Sequence, residues 1–279
     1  MQVRICGVRG SLPAPGVDFV RYGGHTSCLA LAHDDAPAPM LILDAGTGLR
    51  AVSEVLGGRP FAGTILLSHL HWDHVIGLPF FAAGDRADAH TTVLIPEQPD
   101  GQRAGTVLTR MMSPPFYPIT PDELRGSWTF ASIVPGQQRI EGFAVLAREI
   151  PHKGGRTFGY RISDGHSTLA YMPDHCPTAL GLGEDGLGDH HPAALELASH
   201  ADLLVHDAQM FPGEPDAGFG HSAAEYAVEL GRRAQARSVA LFHHRPDRTD
   251  EALDGLASQL DHSGYSAVSV AAEGSLLDL

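Results

Sequence analysis

The chain predicts an α/β sandwich, with two sheets inside, helices outside and strand ends meeting along one edge. Three observations predict it. Short apolar runs rich in β-branched residues recur along all 279 residues, separated by turns drawn from 32 Gly and 20 Pro. Helices are plausible in only a few stretches. Histidine and aspartate side chains follow strands in both halves, first at His69 and later at His152, Asp174 and His243.

Taken in order, strands are expected at residues 3–8, 27–32, 40–43, 64–67, 92–95, 143–150, 157–162, 168–171, 203–205, 238–242 and 267–271. Helices are expected at 49–56, 193–199, 222–234 and 249–260. Ser222 is placed to cap the third, with Glu225 three residues on completing a capping box, and Thr249 to cap the fourth. No tandem repeat is visible. Residues 96–126, which include MMSPPFYPITPDELRG, have many prolines and no clean period. They read equally as a flap over the cleft or a surface excursion. No linker divides the chain, so residues 1–279 read as a single domain carrying a proline-rich insertion at about 96–126.

A formal charge of −14 opposes passive wrapping of nucleic acid, because a repulsive field works against phosphate binding. It does not oppose phosphate chemistry, since bound dications reverse the local sign. Cys6, Cys28 and Cys176 show no paired spacing, which suits a reducing compartment. No stretch resembles a signal peptide or a membrane span, so the expected location is cytoplasmic.

The densest chemistry lies in residues 64–80, TILLSHLHWDHVIGLPF. An apolar run ends at Ser68 and delivers His69, His71, Asp73 and His74 within six positions. Imidazole nitrogen and carboxylate oxygen hold zinc at about 2.0–2.2 Å, and a short turn can gather such donors around one or two ions. His69 and His71 are two apart, so an extended backbone points them to one side. Asp73 and His74 are then free to face a second ion or a water, while Leu70 and Trp72 alternate away into apolar packing.

Other donors follow other strands. His152 precedes Lys153-Gly154-Gly155 and reads as a ligand at a strand exit or as a surface histidine. Asp174 ends the run 169–173 and reads as a carboxylate bridging two cations or as a turn residue. His243 and His244 follow an apolar strand; alternation says only that they face opposite ways. His221 sits in Gly218-Phe219-Gly220-His221-Ser222 as a general acid, a phosphate contact or a neighbour of a helix cap. Asp207 can orient such an imidazole.

Through His69-Leu70-His71-Trp72-Asp73-His74, the H-x-H-x-D-H pattern, the chain resembles the metallo-β-lactamase superfamily. Asp44-Ala45-Gly46-Thr47-Gly48 is similar to the glycine turn before that family's first helix. The resemblance implies a four-layer αβ/βα sandwich with a metal pair in a groove between sheet edges. It assigns His69, His71 and His152 to the first metal, Asp73, His74 and His243 to the second, and Asp174 to both. His243 is preferred to His244 because the family's last ligand directly follows its strand. The pattern 220–225, GHSAAE, resembles the phosphodiesterase branch, which includes the tRNA 3′-processing endonucleases. There the matching histidine contacts the scissile phosphate or protonates the leaving group, supported by an acidic residue such as Asp207. Residues 7–13 and 22–27 resemble an uncharacterised hydrolase branch.

The expected activity is therefore that of a dinuclear metal-dependent hydrolase, a phosphodiesterase on a small phosphodiester or cyclic nucleotide. Asp73 orients the attacking water, and His221, steadied by Asp207, stabilises the transition state or protonates the leaving oxygen. Two divalent cations are implied, zinc first and manganese or iron as alternatives. The tRNA enzymes hold their substrate with a basic, glycine-rich arm. Residues 96–126 are proline-rich, with Arg103, Arg110 and Arg125 as their basic residues, so nucleic acid is the disfavoured partner. The rival readings are a thioester or lactone hydrolase, a tRNA 3′-end endonuclease, an iron-dependent oxidoreductase and a non-enzymatic binding protein of the same fold. A homodimer is the default assembly.

Overall fold

A computed structural model describes residues 1–214, 218–260 and 267–279. The first sheet comprises β1 (Gln2–Gly7), β2 (Cys28–Ala32), β3 (Leu41–Leu43), β4 (Ala62–Leu66), β5 (His90–Pro96), β6 (Ser127–Ile133) and β14 (Leu276–Asp278). The second comprises β7 (Gly136–Ile140), β8 (Phe143–Glu149), β9 (Phe158–Ser163), β10 (Thr168–Met172), β11 (Leu203–Asp207), β12 (Val239–Phe242) and β13 (Val268–Val270). Their spatial orders are β14-β1-β2-β3-β4-β5-β6 and β13-β12-β11-β10-β9-β8-β7.

Alternation within each strand divides the apolar side chains between two layers. In β3, Leu41 and Leu43 enter the core between the sheets while Ile42 faces the outer helices. In β11, Leu203 and Val205 turn inward and Leu204 turns out. Strands buried on both faces need helices outside, which explains their nearly unbroken apolar sequences. Helices α1 (Leu49–Val55), α2 (Trp72–Val75) and α3 (Ala104–Thr109) cover the first sheet, through Leu49, Val52, Val75 and Leu108. Helices α4 (Pro192–Ala198), α5 (Ala224–Arg233) and α6 (Asp250–Leu260) cover the second, through Leu197, Leu230, Leu253 and Leu256. The result is the expected four-layer αβ/βα sandwich.

Parallel pairing runs through β3-β4-β5-β6 and through β10-β11-β12-β13. The carboxyl ends of these strands deliver Asp44, the 68–74 turn, Asp174, Asp207 and His243, the usual place for ligands in such sheets.

Three strands and one helix lie outside the sequence expectation: β6, β7, β14 and α3. The strands are all sheet edges. In β6 and β7 most residues are exposed or half-buried, so the apolar pattern that betrays a central strand is missing. The short α3, AGTVLT, lies inside 96–126 and is diluted by glycine and β-branched residues.

The capping role expected of Ser222 is corrected. Helix α5 starts at Ala224, and Ser222 and Ala223 are instead held extended beside Met210, with Met210 N donating to Ser222 O at 3.2 Å. Ser222 N donates to Asp207, so the serine serves the site rather than the helix. Thr249 does cap: its Oγ1 accepts from Ala252 N at 3.2 Å.

Candidate metal centre

The peptide after β4 places Ser68 and His69 in the sandwich interior, and His71 then takes an extended conformation immediately before α2. Asp73 and His74 occupy the first turns of that short helix, both buried. From the other sheet, Asp174 follows β10 by two residues and His243 directly follows β12. His152 comes from the loop after β8. The structure brings all seven predicted donor residues together.

Their polar atoms form two nests sharing Asp174. His69, His71, His152 and Asp174 each offer an atom within 4.8 Å of the others, as do Asp73, His74 and His243. His152 Nε2 lies 3.3 Å from His71 Nδ1 and 3.5 Å from Asp174 Oδ1. Asp174 Oδ2 is 3.0 Å from His74 Nε2 and 3.3 Å from His243 Nε2. Asp73 Oδ2 is 3.1 Å from His243 Nε2.

In three of these rings the outward nitrogen is hydrogen-bonded, which orients the imidazole. His74 Nδ1 donates to Asp44 Oδ2 at 2.8 Å, and His152 Nδ1 donates to the carbonyl of Gly220 at 2.7 Å. Ser68 Oγ donates to Asp44 Oδ2, so it accepts from His69 Nδ1 at 3.0 Å. Each of these imidazoles therefore turns its Nε2 inward. The carboxamide of Gln209 lies 3.3 Å from His243 Nδ1, and a half-turn lets it serve either tautomer.

Burial is what the inward nitrogens and charges must contend with. It holds the His69 and His71 imidazoles below their ordinary range, with neighbouring imidazoles adding to the effect. At His74 burial is opposed and outweighed by Asp174, Asp73 and Asp44, which push its proton affinity well up. Asp73 and Asp174 are penalised by burial, yet the surrounding imidazoles keep both carboxyls far below the usual range.

His221 lies above the cluster, its ring centroid 5.3 Å from that of His152 and 5.0 Å from that of His243. Its Nδ1 donates to Asp207 Oδ2 at 2.9 Å. Burial would depress this imidazole, but the charge and hydrogen bond of Asp207 win and push it up to about 9. Asp207 is itself fixed, by Gln209 N on one oxygen and by His175 N and Ser222 N on the other. His244 turns away and bonds the carbonyl of Ala271, its imidazole held down to about 3 by burial.

The beta-lactamase superfamily domain model matches residues 40–244, a span that runs from β3 to the end of this cluster. The chain belongs to that superfamily. Ribonuclease Z of Exiguobacterium sibiricum is 28% identical over 221 residues, covering 64% of this chain and 70% of its own length. Ribonuclease Z of Methanothermobacter thermautotrophicus is 24% identical, covering 91% and 90%. Among solved structures, the metallo-β-lactamase fold protein YhfI of Bacillus subtilis superposes with a TM-score of 0.72 at 16% identity, over 99% of each chain. A diphosphatase of the PhnP family superposes with a TM-score of 0.68 at 15% identity, over 100% of this chain and 97% of its own.

The metallo-β-lactamase fold implies divalent metal binding, and the donors here fit it. His69 Nε2 and Asp174 Oδ2 are buried without a hydrogen-bond partner among the described residues. Leaving such groups unpaired costs roughly 1–3 kcal/mol each, a cost that a cation between them removes. The inward nitrogens of His71 and His152, 3.3 Å apart, belong to the same donor set.

Within this superfamily member several residues of the site escape the sequence reading. Asp44 reads in sequence only as part of a glycine turn, yet it accepts from Ser68 N, Ser68 Oγ, His74 and Tyr171 Oη. Ser11 N donates to Asp73 Oδ2 at 2.6 Å, which makes the 7–13 motif a wall of the centre. Gln209 carries no sequence signal. Trp72 corrects an expectation: Leu70 packs on the outer core, but Trp72 is 73% exposed, because α2 begins there and turns the indole outward.

Proposed function

We propose that this protein is a dinuclear metal-dependent phosphodiesterase acting on a small phosphodiester or cyclic nucleotide. The observation that carries the reading is the His221–Asp207 pair standing over the shared carboxylate Asp174, with His221 Nδ1 3.8 Å from its Oδ1. In this reading His69, His71 and His152 hold one cation, Asp73, His74 and His243 the other, and Asp174 both. Zinc suits three imidazoles and a carboxylate, and manganese or iron would be accommodated by the same donors. Bound there, two dications supply charge neutralisation at the phosphoryl oxygens and acidify a water molecule.

The chain's own groups do the rest. Asp73, its Oδ2 already held by Ser11 N, orients the water that attacks phosphorus. The water gives up a proton to solvent as it attacks, and the bond from phosphorus to the leaving ester oxygen breaks as the new one forms. His221 gives its Nε2 proton to that oxygen, while Asp207 stabilises the imidazolium. The products are a phosphomonoester and an alcohol.

A tRNA 3′-end endonuclease is the second reading, favoured by relatives that carry the name ribonuclease Z. The arginines of 96–126 weigh against it. Arg125 is paired with Asp85 at 2.7 Å, and Arg110 donates to Gln102. The deciding experiment is metal analysis joined to turnover of bis-aryl phosphates, cyclic nucleotides, a tRNA precursor and thioesters. Diester hydrolysis that collapses in His221→Ala is the expected result. Preferential thioester hydrolysis indifferent to that change overturns the reading.

A further inference from the structure

A pocket of about 710 Å³ is lined in part by neighbours in sequence of the metal donors. One wall is the outward face of the H-x-H-x-D-H segment: Leu70, Trp72 and Ile76, interleaved in sequence with His71, Asp73 and His74. α3 and the turns after it also line the pocket, the turns through Met111 and Phe116. Phe80 also lines it and packs edge-on against Tyr117, ring centroids 5.8 Å apart. A further wall, Gln98, adjoins Glu97, whose carbonyl accepts from Arg156 at 2.9 Å, four residues beyond the donor His152. The pocket is thus fastened to both sheets' contributions to the centre.

Its surface is unusual for a face left to water. Trp72 is 73% exposed, Phe80 65% and Phe116 83%, clustered around one concavity. Grouped exposed aromatics mark binding sites, and the volume is that of a small-molecule site. Among the lining side chains Arg110 carries the one positive charge, and its guanidinium is engaged by Gln102. A polynucleotide would need a basic track for its backbone beside any aromatic platform. The lining instead suits a single uncharged hydrocarbon group.

We propose that this pocket is the subsite for the apolar ester group, aryl or long alkyl, of a small phosphodiester whose phosphate sits at the metal centre. The inference rests on the phosphodiesterase reading and names its substrate class. It gives residues 96–126 a function: they supply the wall that selects the ester group.

The test is calorimetric binding of phenylphosphonate and methylphosphonate to the metal-loaded full chain, which needs no turnover and no knowledge of which ester leaves. Phenylphosphonate is expected to bind about 10–100-fold tighter, the worth of burying one ring. A Phe80→Ser/Phe116→Ser variant should lose most of that advantage; both side chains are exposed, so the fold is spared. Equal affinities, or an advantage that survives the double substitution, would overturn the proposal. So would an oligoribonucleotide that outcompetes phenylphosphonate and is itself weakened by the variant. A dimer that dissociates in the variant would assign the patch to a second copy instead. Intact phenyl preference without hydrolysis of any diester would remove the phosphodiesterase reading, and the ester assignment with it, while leaving an apolar subsite. No phenyl preference with diester hydrolysis retained would remove the subsite alone.

Discussion

Asp44 accepts a 2.8 Å hydrogen bond from Nδ1 of His74, and both side chains are completely buried. The same carboxylate accepts from Ser68 and Tyr171, so one residue aligns the 68–74 turn with β10 of the other sheet. Asp44 does this from a left-handed backbone conformation, φ 58°, which its short polar side chain tolerates.

Replacing Asp44 should therefore loosen the metal rather than abolish a reaction step. Asp44→Asn is expected to weaken metal affinity by about 10–100-fold, the usual effect of losing a carboxylate behind a metal-binding histidine. Competition with a chelator of known affinity measures it. Unchanged affinity would show that the His74 ring is held by other contacts.

His221→Ala should lower kcat on a phosphodiester by roughly 10²–10⁴-fold, with metal content intact. Asp207→Asn acts one step removed. It leaves the histidine in place and removes the charge that raises its pKa, so the alkaline limb of the kcat profile should move to lower pH. A profile unmoved by Asp207→Asn would separate the two residues.

Gly10→Ala tests how closely the N-terminal segment approaches the centre. A Cβ there would lie 2.4 Å from Nδ1 and Cε1 of His243 and 2.8 Å from the Gln209 amide. His243 cannot give way without leaving Asp73 and Asp174. Metal analysis of the variant is expected to find about one equivalent lost, with helix and strand content preserved by circular dichroism; full loading would contradict the predicted displacement.

Acid stability should depend on a residue far from the centre. Asp164 accepts from His166 N and Ser167 N and pairs with the N-terminal ammonium at 3.0 Å. Burial opposes its ionisation, but these donors win and hold the carboxyl at about 2. A carboxyl depressed in the folded state stabilises fully above its unfolded value near 3.8, and the contribution disappears as pH falls through about 2. Asp164→Asn should cost about 1–2 kcal/mol at pH 7, with the cost shrinking steadily as pH falls from about 4 towards 2, read from urea unfolding at each pH.

Much of this was legible without coordinates, and unevenly so. Central strands such as β4 and β11 announce themselves because burial on both faces demands apolar runs, as in Ile65–Leu66 and Leu203–Val205. Edge strands β6, β7 and β14 do not, since half-solvated residues obey no such demand. Helix α5 shows the limit of local capping rules. Ser222 has the right type and spacing, but the hydrogen bond to Asp207 and the pairing with Met210 claim it first.

By itself the sequence determined the donor types and their order along the chain. Chemistry so specific leaves a local signature, three imidazoles and a carboxylate within six positions. Only tertiary structure decided the partnerships: His244 on the carbonyl of Ala271, Asp44 behind His74, Ser11 on Asp73, and Trp72 facing a pocket rather than a core. Each is a meeting of residues distant in sequence, or a side chain's choice between two faces. Both follow from how two sheets pack, a property that no short window of residues encodes.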